Sequence, residues 1–382
     1  MFDLPFRRVN WPTSVFLMTT LFITLTATPV YLWFYGLDWF QVCLFTVFFI
    51  CSSMSITLGY HRLFSHLAFR AKWPVRLGTL VFGAAAFEGS ALEWVADHRR
   101  HHKHVDHDDD PYNITKGFFH AHIGWLLFKL RPDPPLDNVD DLKADPLVMW
   151  QDRYCVLLGF LTGFIVPSLL GWAWGGPRAA LGSFLLAGVT RVVCVQHSTF
   201  FINSLCHYIG KRPYSSRCTA RDSWLMAIFT FGEGYHNYHH EFSYDYRNGV
   251  KPWQFDPTKW GIWLLSKMSL AKQLRRVPIE KIQLVEIAEK QRQLELQLNS
   301  KAVRLGESTQ RLLQSAHERL QQAARNWEQR KIEYLRAAEK KIEASRERLS
   351  ELKREFEIAA AHLREAIQNW HLAHQAALAG AI

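Results

Sequence analysis

Cysteine is scarce in this 382-residue chain, and the six present (Cys43, Cys51, Cys155, Cys194, Cys206 and Cys218) form no C-x-x-C pair. That excludes a disulfide framework and a cysteine zinc ribbon; four of the six sit in apolar runs, where free thiols behave as small hydrophobes. No P-loop, dinucleotide-binding glycine fingerprint or haem-attachment motif occurs, so the chain carries no evident electron-transfer module. The start, Met1-Phe-Asp-Leu-Pro-Phe-Arg-Arg8, lacks a short apolar core with a small-residue cleavage site, and no removable signal peptide is expected. Residues 279–382 contain no proline and no cysteine, unlike the Phe-, Trp- and Leu-rich residues before them. Two chemical environments follow: a domain over 1–278 and a tail over 279–382.

The net charge of +10 does not indicate nucleic acid. Arg7, Arg8, Arg62, Arg70, Lys72 and Arg76 flank long apolar runs, as the positive-inside rule expects of a cytoplasmic face. Four such runs, near 13–35, 38–59, 154–174 and 179–200, reach the roughly 20 residues a bilayer crossing needs. Short joints at Gly36-Leu-Asp38 and Trp174-Gly-Gly-Pro-Arg178 make them two helical hairpins. The expected architecture is an all-α integral membrane protein. Four transmembrane helices carry a helical cap, with the cap and both termini on the cytoplasmic side. A fifth apolar stretch, 74–96, is broken by Gly78, Gly83, Gly89 and Glu88 and is expected to fold back along the interface rather than cross. Residues 101–153, with Asp108-Asp-Asp-Pro111 and Pro132-Asp-Pro-Pro135, and residues 201–275 form the cytoplasmic segments.

In the tail, Leu335, Ile342, Leu349, Phe356, Leu363 and Trp370 recur every seven residues, with Ala338, Ser345, Leu352, Ala359, Ala366 and Ala373 three residues after each. Such an a/d repeat predicts a coiled coil, self-associating or folded as a hairpin of 279–304 against 309–375 about the Gly306-Glu-Ser308 break.

Nine of the 18 histidines form three clusters and one outlier: His61 and His66; His98, His101 and His102; His236, His239 and His240; and His207. Residues three or four apart share a helix face, so the second and third clusters each point one way. His61 and His66, five apart, need a helix end or a bend. Imidazole suits Fe, Zn, Cu and Ni. One metal cannot use nine imidazoles; two can take four or five each. Carboxylates are expected to orient the rings, with Glu93, Asp97 and Glu233 the candidates and Asp106 and Asp108 behind them. His104, His107, His120, His122 and His197 read as ordinary interfacial residues.

The motifs His-x4-His, His-x2-His-His and His-x2-His-His, in this order among four spans, resemble those of the membrane-bound fatty acyl desaturases, in their stearoyl-CoA (delta-9) branch. The likeness runs from about Ile56 to Tyr246. It includes Gly59-Tyr-His-Arg-Leu-Phe-Ser-His66, Glu93-Trp-Val-Ala-Asp-His-Arg-Arg-His-His-Lys103, Lys116-Gly-Phe-Phe119, His122-Ile-Gly-Trp125, Asn203-Ser-Leu-Cys-His207 and Gly232-Glu-Gly-Tyr-His-Asn-Tyr-His-His240. The tail is outside it. The resemblance implies that the nine histidines hold two iron ions, with Asn203 reaching one through a water. It implies O2 as co-substrate, a fatty acyl-CoA or acyl-lipid substrate, and an external electron donor, a ferredoxin or a cytochrome of the b5 type with its reductase. Trp94, Thr199 and Phe200 are candidates for a bend in the substrate tunnel; the family has Trp where this chain has Phe200, and a polar Asn where it has Gly89. Phe49 and Ser53 are candidates for the limit on chain length. Arg99 and Lys116 are candidates for the phosphates of coenzyme A. Arg191 and Gln196, costly in lipid, are expected to face inward and support the metal site. Hydroxylation on the same metal framework remains an alternative, as does a non-catalytic scaffold acting through the tail.

Overall fold

A computed structural model describes residues 8–129, 135–301, 306–339 and 346–379. Arg7, Pro132 to Pro134 and the heptad positions Ile342 and Ser345 lie outside the described residues. The chain forms two compact units, one from residues 1–212 and 217–276, the other from 213–216 and 277–382.

In the first unit three helices are long and apolar enough to cross a membrane: Trp11–Tyr35, Trp39–Ser65 and Pro146–Tyr208. The second starts at an Asp38 cap, whose carboxylate accepts from Phe40 N. The third has 63 residues. A straight helix of that length would run about 95 Å, three times a hydrocarbon core of about 30 Å. It does not run straight. Gly175 and Gly176 leave helical geometry, Gly176 at φ 67°, a conformation only glycine adopts freely. The two arms then fold against each other: a methyl group on Gly171 would meet Ala179 O and Ser183 Oγ. The expected joint at Trp174 to Arg178 is thus a kink at which two helices meet directly.

The stretch expected to fold back forms a 12-residue helix, Trp73–Ala84. At about 18 Å it is too short to cross. It packs on the second span through small residues: a methyl on Gly59 would lie 2.6 Å from Thr79, and one on Gly83 2.4 Å from the Tyr60 ring. Irregular backbone follows over 85–90, with Phe87 and Gly89 at positive φ. Buried Arg191 is spent here. It donates to Ala85 O, to Gly163 O at 3.0 Å and to Ala187 O at 3.1 Å, satisfying carbonyls that broken helix would otherwise orphan. The chain returns as Ala91–His104, opened by a capping box in which Ser90 accepts from Glu93 N and Glu93 accepts from Ser90 N.

The second unit holds three helices, Ile279–Lys301, Glu307–Glu339 and Arg346–Ala379. Ala316, Leu320, Trp327, Leu363, Ile367 and Trp370 share its core with Ile287. The expected single helix over 309–375 is therefore two, packed along each other, and the 279–304 helix is a third. Of the heptad positions Leu352, Ala359, Leu363, Trp370 and Ala373 are buried, whereas Leu335 is exposed. A seven-residue repeat states that a stripe needs an apolar partner; it does not state whether the partner is another chain or the next helix.

Candidate metal centre

The second span ends as a π-helix, Ser55–Ser65, in which each turn closes one residue later than in an α-helix. His66 N bonds to His61 O at 3.1 Å, a five-residue step that turns both imidazoles inward. Ala91–His104 carries His98, His101 and His102; the short helix His236–Glu241 carries His236, His239 and His240; and Leu205–Tyr208 carries His207. All nine converge in two groups. His61, His66, His98, His102 and His239 form one; His101, His207, His236 and His240 form the other, with ligand atoms within 4.8 Å of one another in each.

The ring nitrogens test whether these groups suit metal ions. His61 Nδ1 lies 3.0 Å from Glu233 Oε2, and His101 Nδ1 is hydrogen-bonded to Asp110 Oδ1 at 2.9 Å. Both rings therefore turn Nε2 into the cluster. There the Nε2 atoms face each other: His61 and His239 at 3.0 Å, His239 and His102 at 2.9 Å, His66 and His98 at 2.9 Å, His240 and His236 at 3.1 Å. His207 Nε2, buried, has no hydrogen-bond partner among the described residues. Each facing pair can share at most one proton, whereas a metal ion among them would engage the lone pair of every ring. Burial, then neighbouring rings, holds His66, His98, His102, His236, His239 and His240 well below the usual imidazole range, so they are neutral and ready to ligate. The residues fit two metal ions.

Several groups orient this shell. Tyr112 OH lies 3.3 Å from His98 Nδ1, and Thr219 Oγ1 lies 2.7 Å from His207 Nδ1 while donating to Asp106. Glu233 is held by Arg62 and Asn248. Burial alone would raise the Glu233 carboxyl, but Arg62 and His61 outweigh it and hold it below its ordinary value.

A cavity of about 550 Å³ runs alongside, bounded by His61, His98, His101, His236 and Asn203 at one wall. Trp94, Thr199, Phe200, Glu88 and Gln196 also line it. Trp94 stacks on His98 with centroids 4.9 Å apart. Glu88 joins the wall, accepting from Thr199 Oγ1 at 2.8 Å and from Trp94 Nε1 at 3.2 Å.

A model of the family described as fatty acid desaturase matches residues 37–263. The chain belongs to that family. It is 38% identical over 234 residues to stearoyl-CoA desaturase 5 of Homo sapiens, covering 60% of this chain and 70% of that protein. It is 41% identical over 276 residues to acyl-CoA desaturase 1 of Saccharomyces cerevisiae, covering 70% of this chain and 53% of that one. With a probable acyl-CoA desaturase of Schizosaccharomyces pombe it shares 43% over 251 residues, 65% of this chain and 52% of that one. The chain thus spans about half the length of these two fungal relatives. Family membership and the three long apolar helices make this desaturase-family chain an integral membrane protein.

Other expected site residues lie elsewhere or have other work. Glu93 and Asp97 line the cavity, but Glu93 also serves the helix cap. Arg191 touches no ligand histidine; its partners are the backbone carbonyls above and Ser52. Gln196 donates to Phe87 O at 3.0 Å. Phe49 and Ser53 are not among the cavity's lining residues; Phe49 packs on Phe231. Arg99 is committed to Ser65 O, Phe64 O, Asn138 O and both oxygens of Asp141, which leaves little of its guanidinium for a phosphate. Lys116 lies 3.4 Å from exposed Asp108. Asp110, Tyr112, Thr219, Arg62 and Glu88 escaped the sequence reading. The signal for Asp110 was present in the acidic run 108–110, two residues before Tyr112.

Glu88 yields a pH prediction. Burial raises its carboxyl to about 8 against the hydrogen bonds from Thr199 and Trp94. A carboxyl raised on folding takes up a proton as the chain folds, so its contribution to stability falls as pH rises from 4.5 to about 8. The thermal midpoint of wild type relative to Glu88→Gln is expected to decline across that interval. Parallel curves would show that Glu88 does not titrate there.

Proposed function

We propose that this chain is an O2-dependent fatty acyl desaturase that inserts a cis double bond, at carbon 9, into a saturated acyl chain. The observation that carries this reading is the pair of histidine groups, five and four, set against one cavity that Phe16, Leu17, Ile56, Phe87 and Phe200 line together with Glu88, Trp94 and Thr199. Two iron ions, held by the nine histidines with Asn203 reaching one through water, would supply with O2 the oxidising power that inert C–H bonds require.

The protein's own residues do the rest. Glu233 and Asp110 fix the rings of His61 and His101, so that these two Nε2 atoms are presented inward before a metal arrives. Trp94, tied to Glu88 and stacked on His98, and Thr199, tied to the same carboxyl, fix one wall at a set depth from the ligands. Phe200 closes the wall beside them. An acyl chain bent against that wall would present two adjacent methylenes to the metal pair and exclude water from it. Coenzyme A is the carrier we favour, with Lys116 near its phosphates; the related proteins named for acyl-CoA support this. Electrons come from an external ferredoxin or b5-type cytochrome with its reductase. The two arms around Gly175 and Gly176 each cross the bilayer, giving four crossings with both termini and the histidines on the cytoplasmic side. The tail, residues 279–382, folds back on itself or self-associates.

Expression in cells unable to make unsaturated fatty acids is expected to restore growth and to yield monounsaturated acyl chains, located at carbon 9 by mass spectrometry of derivatised products. Hydroxylated products would place the chain in the alternative chemistry. No oxidised product from a protein carrying both metals would overturn the proposal.

A further inference from the structure

The helix Pro257–Lys267 has one face without a partner in its unit. Thr258 and Ile262 are buried, whereas Trp260, Trp263, Leu264 and Lys267 are exposed at steps of three, one and three residues, a single stripe. Met268, beyond it, is also exposed. The helix packs against the second span: Thr258 Oγ1 bonds to Thr57 Oγ1 at 2.8 Å, and a methyl on Gly261 would meet Met54. Counting about 20 residues from Trp39, the span leaves hydrocarbon near the level of Thr57. The exposed stripe is thus at headgroup depth, where Trp is favoured.

The surface continues in basic residues. The strands Arg70–Ala71 and Ala271–Lys272 pair antiparallel, with Arg70 directly opposite Lys272. Like charges so placed repel. Lys72 and the 68%-exposed Trp73 follow on the first strand's side, and Lys267 lies 5.5 Å from the Trp263 ring. Residues 257–276 and 66–87 contain no Asp or Glu. Among the described residues no carboxylate lies within ion-pair distance of Arg70, Lys72, Lys267 or Lys272. Cations held together without acids, beside an indole stripe at headgroup depth, have one complementary occupant: an anionic membrane.

We infer that the stripe Trp260, Trp263, Leu264 and Lys267, together with Arg70 and Lys272, forms a docking surface for anionic phospholipid headgroups. The indoles and Leu264 enter the acyl boundary, and the three cations meet lipid phosphates. This contact is distinct from substrate binding in the cavity. It fixes the depth at which the cavity meets the bilayer.

The test uses the full chain in nanodiscs of phosphatidylcholine containing equal amounts of either brominated phosphatidylglycerol or brominated phosphatidylcholine. Tryptophan quenching is expected to be stronger with the brominated anionic lipid, and W260F/W263F should remove that difference. R70Q/K267Q/K272Q should lower the preference by about fivefold per charge, as the worth of a cation near an anionic surface implies. R70K/K267R/K272R should retain it, which separates charge from misfolding. Equal quenching by both lipids would overturn the inference. So would a preference unmoved in the charge-removed variant, or one that survives the loss of Trp260 and Trp263, as expected if a protein partner covers this face.

Discussion

Replacing His101 with alanine is expected to abolish the fatty acyl oxidation proposed above while the five-histidine group keeps its ligands. His101 belongs to the four-histidine group with His207, His236 and His240, and contributes no ligand atom to the group of five. Its loss leaves three imidazoles where four converged. It also strands Asp110, 1% exposed, whose carboxylate accepts from His101 Nδ1. Disturbing groups that only orient a ligand already lowers metal affinity or activity about 10- to 100-fold, so removing the ligand itself should bring turnover below about 1% of the parent. Metal analysis is expected to show one ion lost per chain, and product analysis no new double bonds. Cross-linking of the tail should be unchanged, since the 279–382 helices have a core of their own. Turnover above about a tenth of the parent, outside the range for even an orienting group, would mean that the four-histidine group is not needed for the chemistry.

That prediction rests on residues whose grouping could be read from spacing, because His98, His101, His102 and His236, His239, His240 lie on helices where three- and four-residue steps share a face. His61 and His66 were readable only as a difficulty. Their five-residue step is resolved by a π-helix, and no residue preference distinguishes a π-turn from an α-turn; the packing of Trp73–Ala84 and the ligand helix around Ser55–Ser65 goes with it. The long apolar runs were legible from length and hydropathy, and the short joint expected at Trp174 to Arg178 is where Gly175 and Gly176 leave helical geometry; glycine and proline mark a reversal without saying how abrupt it is. Arg191 was rightly expected to face inward, yet its partners are carbonyls freed by broken helix, and backbone satisfaction leaves no trace in side-chain patterns. Asp110 lies nine residues beyond His101 through an irregular turn with Asp106 at positive φ, so nothing periodic linked them. Arg99 looked like a free cation because its acceptors, Phe64 O, Ser65 O and Asp141, are distant in sequence.

Arg62→Met should be the most destabilising single change outside the ligands. Its guanidinium binds Glu233 through Nε and Nη2, Asp256 through Nη1 and Nη2, and Tyr246 O through Nη1. Arg62, Glu233 and Asp256 are at most 2% exposed. Removing the cation leaves two buried carboxylates uncompensated, at a cost of about 3–5 kcal/mol. The thermal midpoint in detergent should fall accordingly. The functional consequence runs through Glu233. Burial then acts on it without its strongest opposing charge, its carboxyl rises and takes a proton, and it holds His61 Nδ1 less firmly. His61 loses its orientation, and the five-histidine group should release metal to a chelator about 10- to 100-fold more readily. Arg62→Lys keeps the charge without the fork and should fall between the two. Glu233→Gln separates the effects: it removes the carboxylate that aims His61 but lightens the burden on Arg62. It should therefore weaken metal retention with a smaller loss of stability. If Arg62→Met lowered the midpoint while metal release stayed at the wild-type rate, the network would hold the fold alone, and the aim of His61 would have to come from the π-helix itself.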